Sequence, residues 1–224
     1  MLLAAGALAV SLTYRGVRSG HWPLSNQYEF TLGFALIMAC ECLIVTRVSH
    51  RGAWVGVGLV LLALLLRAVT MPVQARMIGP LSPVLRSVWL QAHVLTVMVG
   101  YASFGVAAGF SLSAILLRRE NTELRTLALY VVELGFPWLT LGILAGAMWA
   151  QNAWGRYWGW DPKETWSLIT WLWYLMILHL SPGDEHQGMR QTFLMLVGFA
   201  LVMFTFVGVP ALARLQSLPT LHGY

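Results

Sequence analysis

The sequence predicts an all-α, polytopic integral membrane bundle of about seven transmembrane helices. Three observations carry that prediction. Of 224 residues, 58% are hydrophobic and only 10% charged, with mean hydropathy +0.69; a soluble domain carries about 25% charged residues. The apolar runs are continuous and lack the in–out alternation of a membrane barrel. The arginines stand singly between those runs, with no basic stripe of the kind that reads nucleic acid. The chain reads as a single membrane domain, 1–224, without internal repeats or a soluble domain.

Span one covers Met1 to about Thr13, shorter than the ~20 residues a bilayer needs, which leaves the true start of the chain open. Met1–Val10 lacks the basic leader and cleavage site of a signal peptide. Arg15–Gln27 reads as a turn-rich loop containing His21 and Pro23. Span two follows at Tyr28–Val48 with Glu41 inside, and span three at Ala53–Met71 with Arg67 inside, read as snorkelling to water. A Pro-containing loop leads to span four, Val88–Leu117, which begins with Trp89 and His93. Arg118–Arg125 is a hydrophilic connection, and span five is Thr126–Met148 with Glu133 and Pro137 inside. Asp161 as N-cap, Pro162 at the first helical position and Glu164 at the third make a capping-box pattern. That pattern opens span six, Pro162–Leu180, which Ser181-Pro182-Gly183 stops. Span seven, Gln191–Val209, is expected to end at Pro210, and a tail with His222 follows.

Net charge is +5, from 13 Arg and one Lys against nine acidic residues. In a membrane chain this points to lipid headgroups or an anionic ligand, and nucleic acid is excluded as a partner. Cys40 and Cys42 lie two apart on a helix and so point about 200° apart, which forbids a disulfide and any dithiol chemistry.

The chain is organised around Trp149–Trp173, between spans five and six, where seven of the 11 tryptophans fall. An interfacial belt explains one or two tryptophans at a water boundary. Here they continue through a polar, glycine-broken stretch that also carries Arg156, Asp161, Lys163 and Glu164. Aromatic faces with a few fixed polar groups suit a large, flat, apolar ligand with charged edges. Counting spans places His21, His93, the tryptophan stretch and His222 on one membrane face, and His50, His179 and His186 at the other. The positive-inside rule does not orient the bundle, because basic residues fall on both sides. A lone histidine at a helix end is ordinarily an interfacial polar group. Two of them beside this aromatic cluster suggest haem held by two imidazoles. His179, near the end of span six, either functions there or simply reaches water.

WGRYWGWDPKETW (Trp154–Trp166) resembles the tryptophan-rich WWD signature of haem-handling cytochrome c assembly proteins. The run DPKETWSLITWLW makes the CcsA (ResC) family of the system II pathway a nearer likeness than CcmC or CcmF. SGHWPLSNQYEF (Ser19–Phe30), WLQAHV (Trp89–Val94) and LHGY (Leu221–Tyr224) also resemble that family. The departures are small: WAQNAWG stands where the family has WANEAWG, and SNQYEF where it has SNLYES.

The resemblance implies a protein of a bacterial inner or thylakoid-type membrane that carries haem b as its substrate. It would present that haem on the extracytoplasmic face to the CxxCH thiols of apocytochrome c. It implies a CcsB (ResB)-like partner and, indirectly, a thiol-reducing system. His93 and His222 match the family's outer haem ligands. His179 matches its intramembrane histidine, which pairs with a partner histidine. The tryptophan segment, with Trp154, Trp158, Trp160 and Asp161, would hold the ring. Arg156 or Lys163 is the candidate partner of a propionate. On this reading the chain is a subunit of a holocytochrome c synthase (haem lyase) complex. The alternative is a haem exporter or permease without attachment activity, which needs the same site.

Overall fold

The computed structural model describes residues 1–46, 54–79, 83–117, 122–180 and 188–215; His50, His186 and His222 lie outside the described residues. Helix α1 (Leu2–Ser19) is closed by Gly20, whose N–H bonds Gly16 O at 3.0 Å and whose φ of 71° turns the chain out of the helix. Helix α2 (Gln27–Val45) starts under Asn26, whose side chain accepts the Glu29 N–H at 2.9 Å. Then come α3 (Trp54–Thr70), the single turn α4 (Val73–Arg76) and a 3₁₀ turn at Pro83–Arg86. Helices α5 (Val88–Leu116), α6 (Thr122–Trp154) and α7 (Pro162–Leu180) follow, and α8 (Gly188–Met203) passes through a π-helical turn (Phe204–Gly208) into α9 (Val209–Leu215).

The expected spans fall on α1, α2, α3, α5, α6, α7 and the α8–α9 run, so the protein is an all-helical membrane bundle. Among the described residues, four helices are long and apolar enough to cross a membrane: α2, α5, α6 and Met189–Ala213. Helix α5 lies at the centre, packed by α2, α3, α6 and α8, and is buried over most of Val97–Ser113. In lipid no water is expelled when helices meet, so close packing of small residues holds them. Helix α5 supplies Gly100, Ala102, Gly105, Ala107 and Ala108 for that purpose, while Phe104 stacks on Tyr174 of α7 at 3.6 Å between ring centroids. Glu41 of α2 accepts the Ser103 hydroxyl of α5 at 3.0 Å. Glu133 stands on the exposed face of α6.

Two helix ends and the surroundings of Arg67 differ from expectation. Helix α1 runs on through Arg15, which the sequence places in a loop. Arg15 is buried, with Nε donating to Glu29 Oε1 at 3.0 Å and its other nitrogens to the carbonyls of Arg76 (2.8 Å) and Met77 (3.3 Å). The second Glu29 oxygen accepts the Ser25 N–H and hydroxyl at 2.9 and 2.8 Å. Arg67 does not simply reach water: it donates to Thr31 Oγ1 at 2.9 Å and lies 5.0 Å from the Phe206 ring centroid. Pro210 does not end the last span. Widening the preceding turn, with the Val209 N–H reaching back to Phe204 O, moves the carbonyls away from the proline ring and lets the helix continue.

Candidate functional site

The tryptophan-rich connection is held at both ends by backbone chemistry. Helix α6 continues beyond its expected end to Trp154 and stops at Gly155, whose N–H still bonds Gln151 O at 3.0 Å and whose φ of 73° then turns the chain out of the helix. At the other end the expected capping box is formed. Asp161 Oδ1 accepts the Glu164 N–H at 2.7 Å, and Glu164 Oε2 accepts the N–H groups of Asp161 (3.2 Å) and Gly159 (2.7 Å). Between these anchors Trp160 takes φ 57°. For a bulky side chain that backbone costs about 1–3 kcal/mol, and it persists only where the surroundings fix it. The adjoining cap supplies that constraint.

Beneath this connection lies a cavity of about 150 Å³. Helix α5 lines it with Leu90, His93, Val97 and Tyr101, and α6 with Leu139, Ile143 and Gly146. Tyr157 and Trp158 close it from the connection, Lys163, Glu164 and Ser167 from the start of α7. Leu24–Gln27, leading into α2, also line it, with Thr205 and Phe206 of the π turn. The lining is chiefly apolar with a few polar groups, as in sites for largely apolar ligands.

His93 stands in this wall with a defined tautomer. Its Nδ1 lies 2.7 Å from Gly142 O. A carbonyl can only accept, so Nδ1 carries the proton, and the neutral ring has its lone pair on Nε2. Metal-ligating histidines are commonly oriented through such a bond from the second ring nitrogen. Trp158 brings a second feature: its Nε1–H is buried with no hydrogen-bond partner among the described residues. Such a donor calls for an acceptor from elsewhere.

Of the residues singled out from sequence, His93, Trp158 and Lys163 meet in the cavity. Asp161 caps α7 behind it. Trp154 and Trp160 are 37% and 68% exposed and stand outside the lining. Trp154 packs edge-on against buried Trp149 at 5.9 Å, and Trp160 against Trp158 at 5.8 Å. Arg156 is exposed, its guanidinium folded over Gly159. His179 is exposed near the far end of α7, its Nδ1 donating to Leu175 O at 2.8 Å; from Pro162 the helix rises about 26 Å to reach it. His222 falls outside the described residues. His21 has both ring nitrogens against carbonyls, Trp22 O at 2.9 Å and Gly79 O at 3.2 Å. A neutral ring has one N–H and donates to only one of these carbonyls. Sequence reasoning did not single out Asn26, Gln27, Tyr101, Gly146 or Ser167 as parts of the site. Only the SNQYEF segment gave a signal for the first two.

The family model described as cytochrome C assembly protein matches residues 24–215. The chain is 34% identical over 220 residues to the cytochrome c biogenesis protein CcsA of Chlamydomonas reinhardtii, covering 90% of this chain and 62% of that protein. It is 32% identical over 244 residues to the CcsA of Synechococcus sp. (strain CC9902), covering 90% of this chain and 79% of the relative. To that of Porphyra purpurea it is 31% identical over 276 residues, covering 100% and 85%.

Proposed function

This chain belongs to the cytochrome c assembly protein family, and we propose that its part in cytochrome c biogenesis is to hold haem for attachment. The cavity under the tryptophan-rich connection takes haem b as substrate, on the extracytoplasmic face, with His93 and His222 as axial ligands. Trp158 forms one wall against the ring, and Lys163 with the Trp158 N–H receives a propionate. At the other end of α7, His179 and a histidine of a CcsB (ResB)-like partner hold haem arriving from the opposite side. One observation carries the reading: a histidine of fixed tautomer in an apolar wall that also contains an indole and an ammonium.

The chemistry asked of the protein is positioning. Each thiol of an apocytochrome c CxxCH segment adds across one haem vinyl group. A carbon–sulfur bond forms at the carbon next to the ring, and the thiol hydrogen ends on the terminal carbon. No electrons are gained or lost overall. The cavity holds the ring still and keeps water from it while iron stays ligated. The histidine of the CxxCH segment then displaces one axial ligand, which frees the product.

Absorbance spectra of the detergent-purified protein test this, comparing wild type with His93→Ala and His222→Ala, each with and without imidazole. The expected result is a bis-histidine spectrum that weakens in both variants and recovers when imidazole replaces the missing ring. Wild type without haem after co-expression with its partner would overturn the reading. Haem indifferent to both substitutions would remove the ligand assignment.

A further inference from the structure

Helices α5 and α6 run antiparallel along a seam of small residues. At successive turns Ser103 meets Gly135, Gly100 meets Leu139, Val97 meets Gly142, and His93 meets Gly146. The last rung differs from the others because an imidazole, not an aliphatic group or hydroxyl, lies against the glycine. A Cβ built at Gly146 would stand 2.6 Å from His93 Nδ1, 2.9 Å from Cε1 and 3.4 Å from Cγ. These distances to three ring atoms mean that the imidazole lies against the position itself. The Nδ1–H also reaches Gly142 O, one turn earlier on the same face of α6, at 2.7 Å. A methyl group at 146 and that hydrogen bond cannot coexist without a shift of the ring or of α6.

We infer that Gly146 is a positioning residue for His93: its missing side chain lets the ring reach Gly142 O, and so sets the tautomer and direction of the ligating nitrogen. The inference rests on the haem-ligand reading of His93. It adds a residue on a different helix that touches no iron and acts only through the ring. The packing leaves the ring little alternative. Moving it off α6 breaks the Nδ1 bond, and with it the contact that fixes the proton on Nδ1. Ligand geometry is lost through small displacements of this kind.

The test is haem absorbance of the detergent-purified Gly146→Ala protein, with and without imidazole, beside wild type, His93→Ala and Gly135→Ala. Gly135 is a rung of the same seam remote from His93, so it reports the cost of crowding the seam alone. The inference expects Gly146→Ala to lose most of its co-purified haem at an unchanged protein level, to recover it with imidazole, and to differ in this from Gly135→Ala. A wild-type spectrum in Gly146→Ala overturns it, as does haem loss that imidazole does not restore. Should Gly146→Ala fail to accumulate, the double variant Gly146→Ala/His93→Ala decides. Recovery of accumulation assigns the clash to the ring, whereas failure of the double variant also overturns the inference. Wild type without haem, or His93→Ala indistinguishable from wild type, would instead remove the functional reading beneath it.

Discussion

Lys163 and Arg156 are equivalent candidates in the sequence, seven residues apart in one aromatic stretch, and the fold separates them. Lys163 begins α7 in the cavity wall, whereas Arg156 is exposed and folded over Gly159. An ammonium near the buried, partnerless Trp158 N–H suits a carboxylate better than a cation on the outside of the loop. Titrating haem b into detergent-purified protein should therefore show Lys163→Gln about tenfold weaker than wild type, the size of a charge-assisted hydrogen bond worth about 1.5 kcal/mol. Arg156→Gln should stay near wild type. The reverse order would return the propionate to Arg156, and two unchanged affinities would end the assignment of either. The sequence points to an anionic edge in this region because charges among tryptophans are conspicuous. It could not choose between the two cations, since that depends on where Gly155 turns the chain.

The start of α7 was legible because a capping box is local: Asp161 and Glu164 are three residues apart and bond each other's backbone N–H. The end of α1 was not, because what draws Arg15 into the helix lies 14 residues ahead in Glu29 and 61 ahead in the Arg76 carbonyl. The same long-range ties hid the cavity's far wall. Leu24–Gln27 reads as loop until the Arg15–Glu29 pair, with Ser25 on the second carboxylate oxygen, fixes it against α5. Removing one member of a buried pair leaves an uncompensated charge, at a cost of about 3–5 kcal/mol. Arg15→Met should accordingly lower the unfolding midpoint in detergent markedly. Adding Glu29→Gln should recover much of the loss, because the stranded charge goes with it. An unchanged midpoint for Arg15→Met would mean that the pair does not hold this turn.

Across the whole molecule, span counting assigns the histidines to two membrane faces, an expectation that turns on the ends of α7. His21 and His93 stand at the tryptophan end, and His179 stands at the other end of α7. Cysteine labelling gives a direct test. In a background with Cys40 and Cys42 replaced by alanine, Arg156→Cys and Leu180→Cys should react with a membrane-impermeant maleimide from opposite sides of sealed vesicles. Labelling of both from one side would break the two-ended arrangement. The central place of α5 also bears on motion. A segment opens at a cost that grows with its buried packing, and α5 is the most extensively packed helix described here, whereas α7 buries only Thr170, Tyr174 and Ile177. The two sides of the cavity are therefore unequal in stiffness. His93 is tied to the part of the bundle that opens last, while Trp158 and Lys163 belong to a loop and a helix that open sooner. Cargo would be exchanged against a stationary histidine by movement of the tryptophan side.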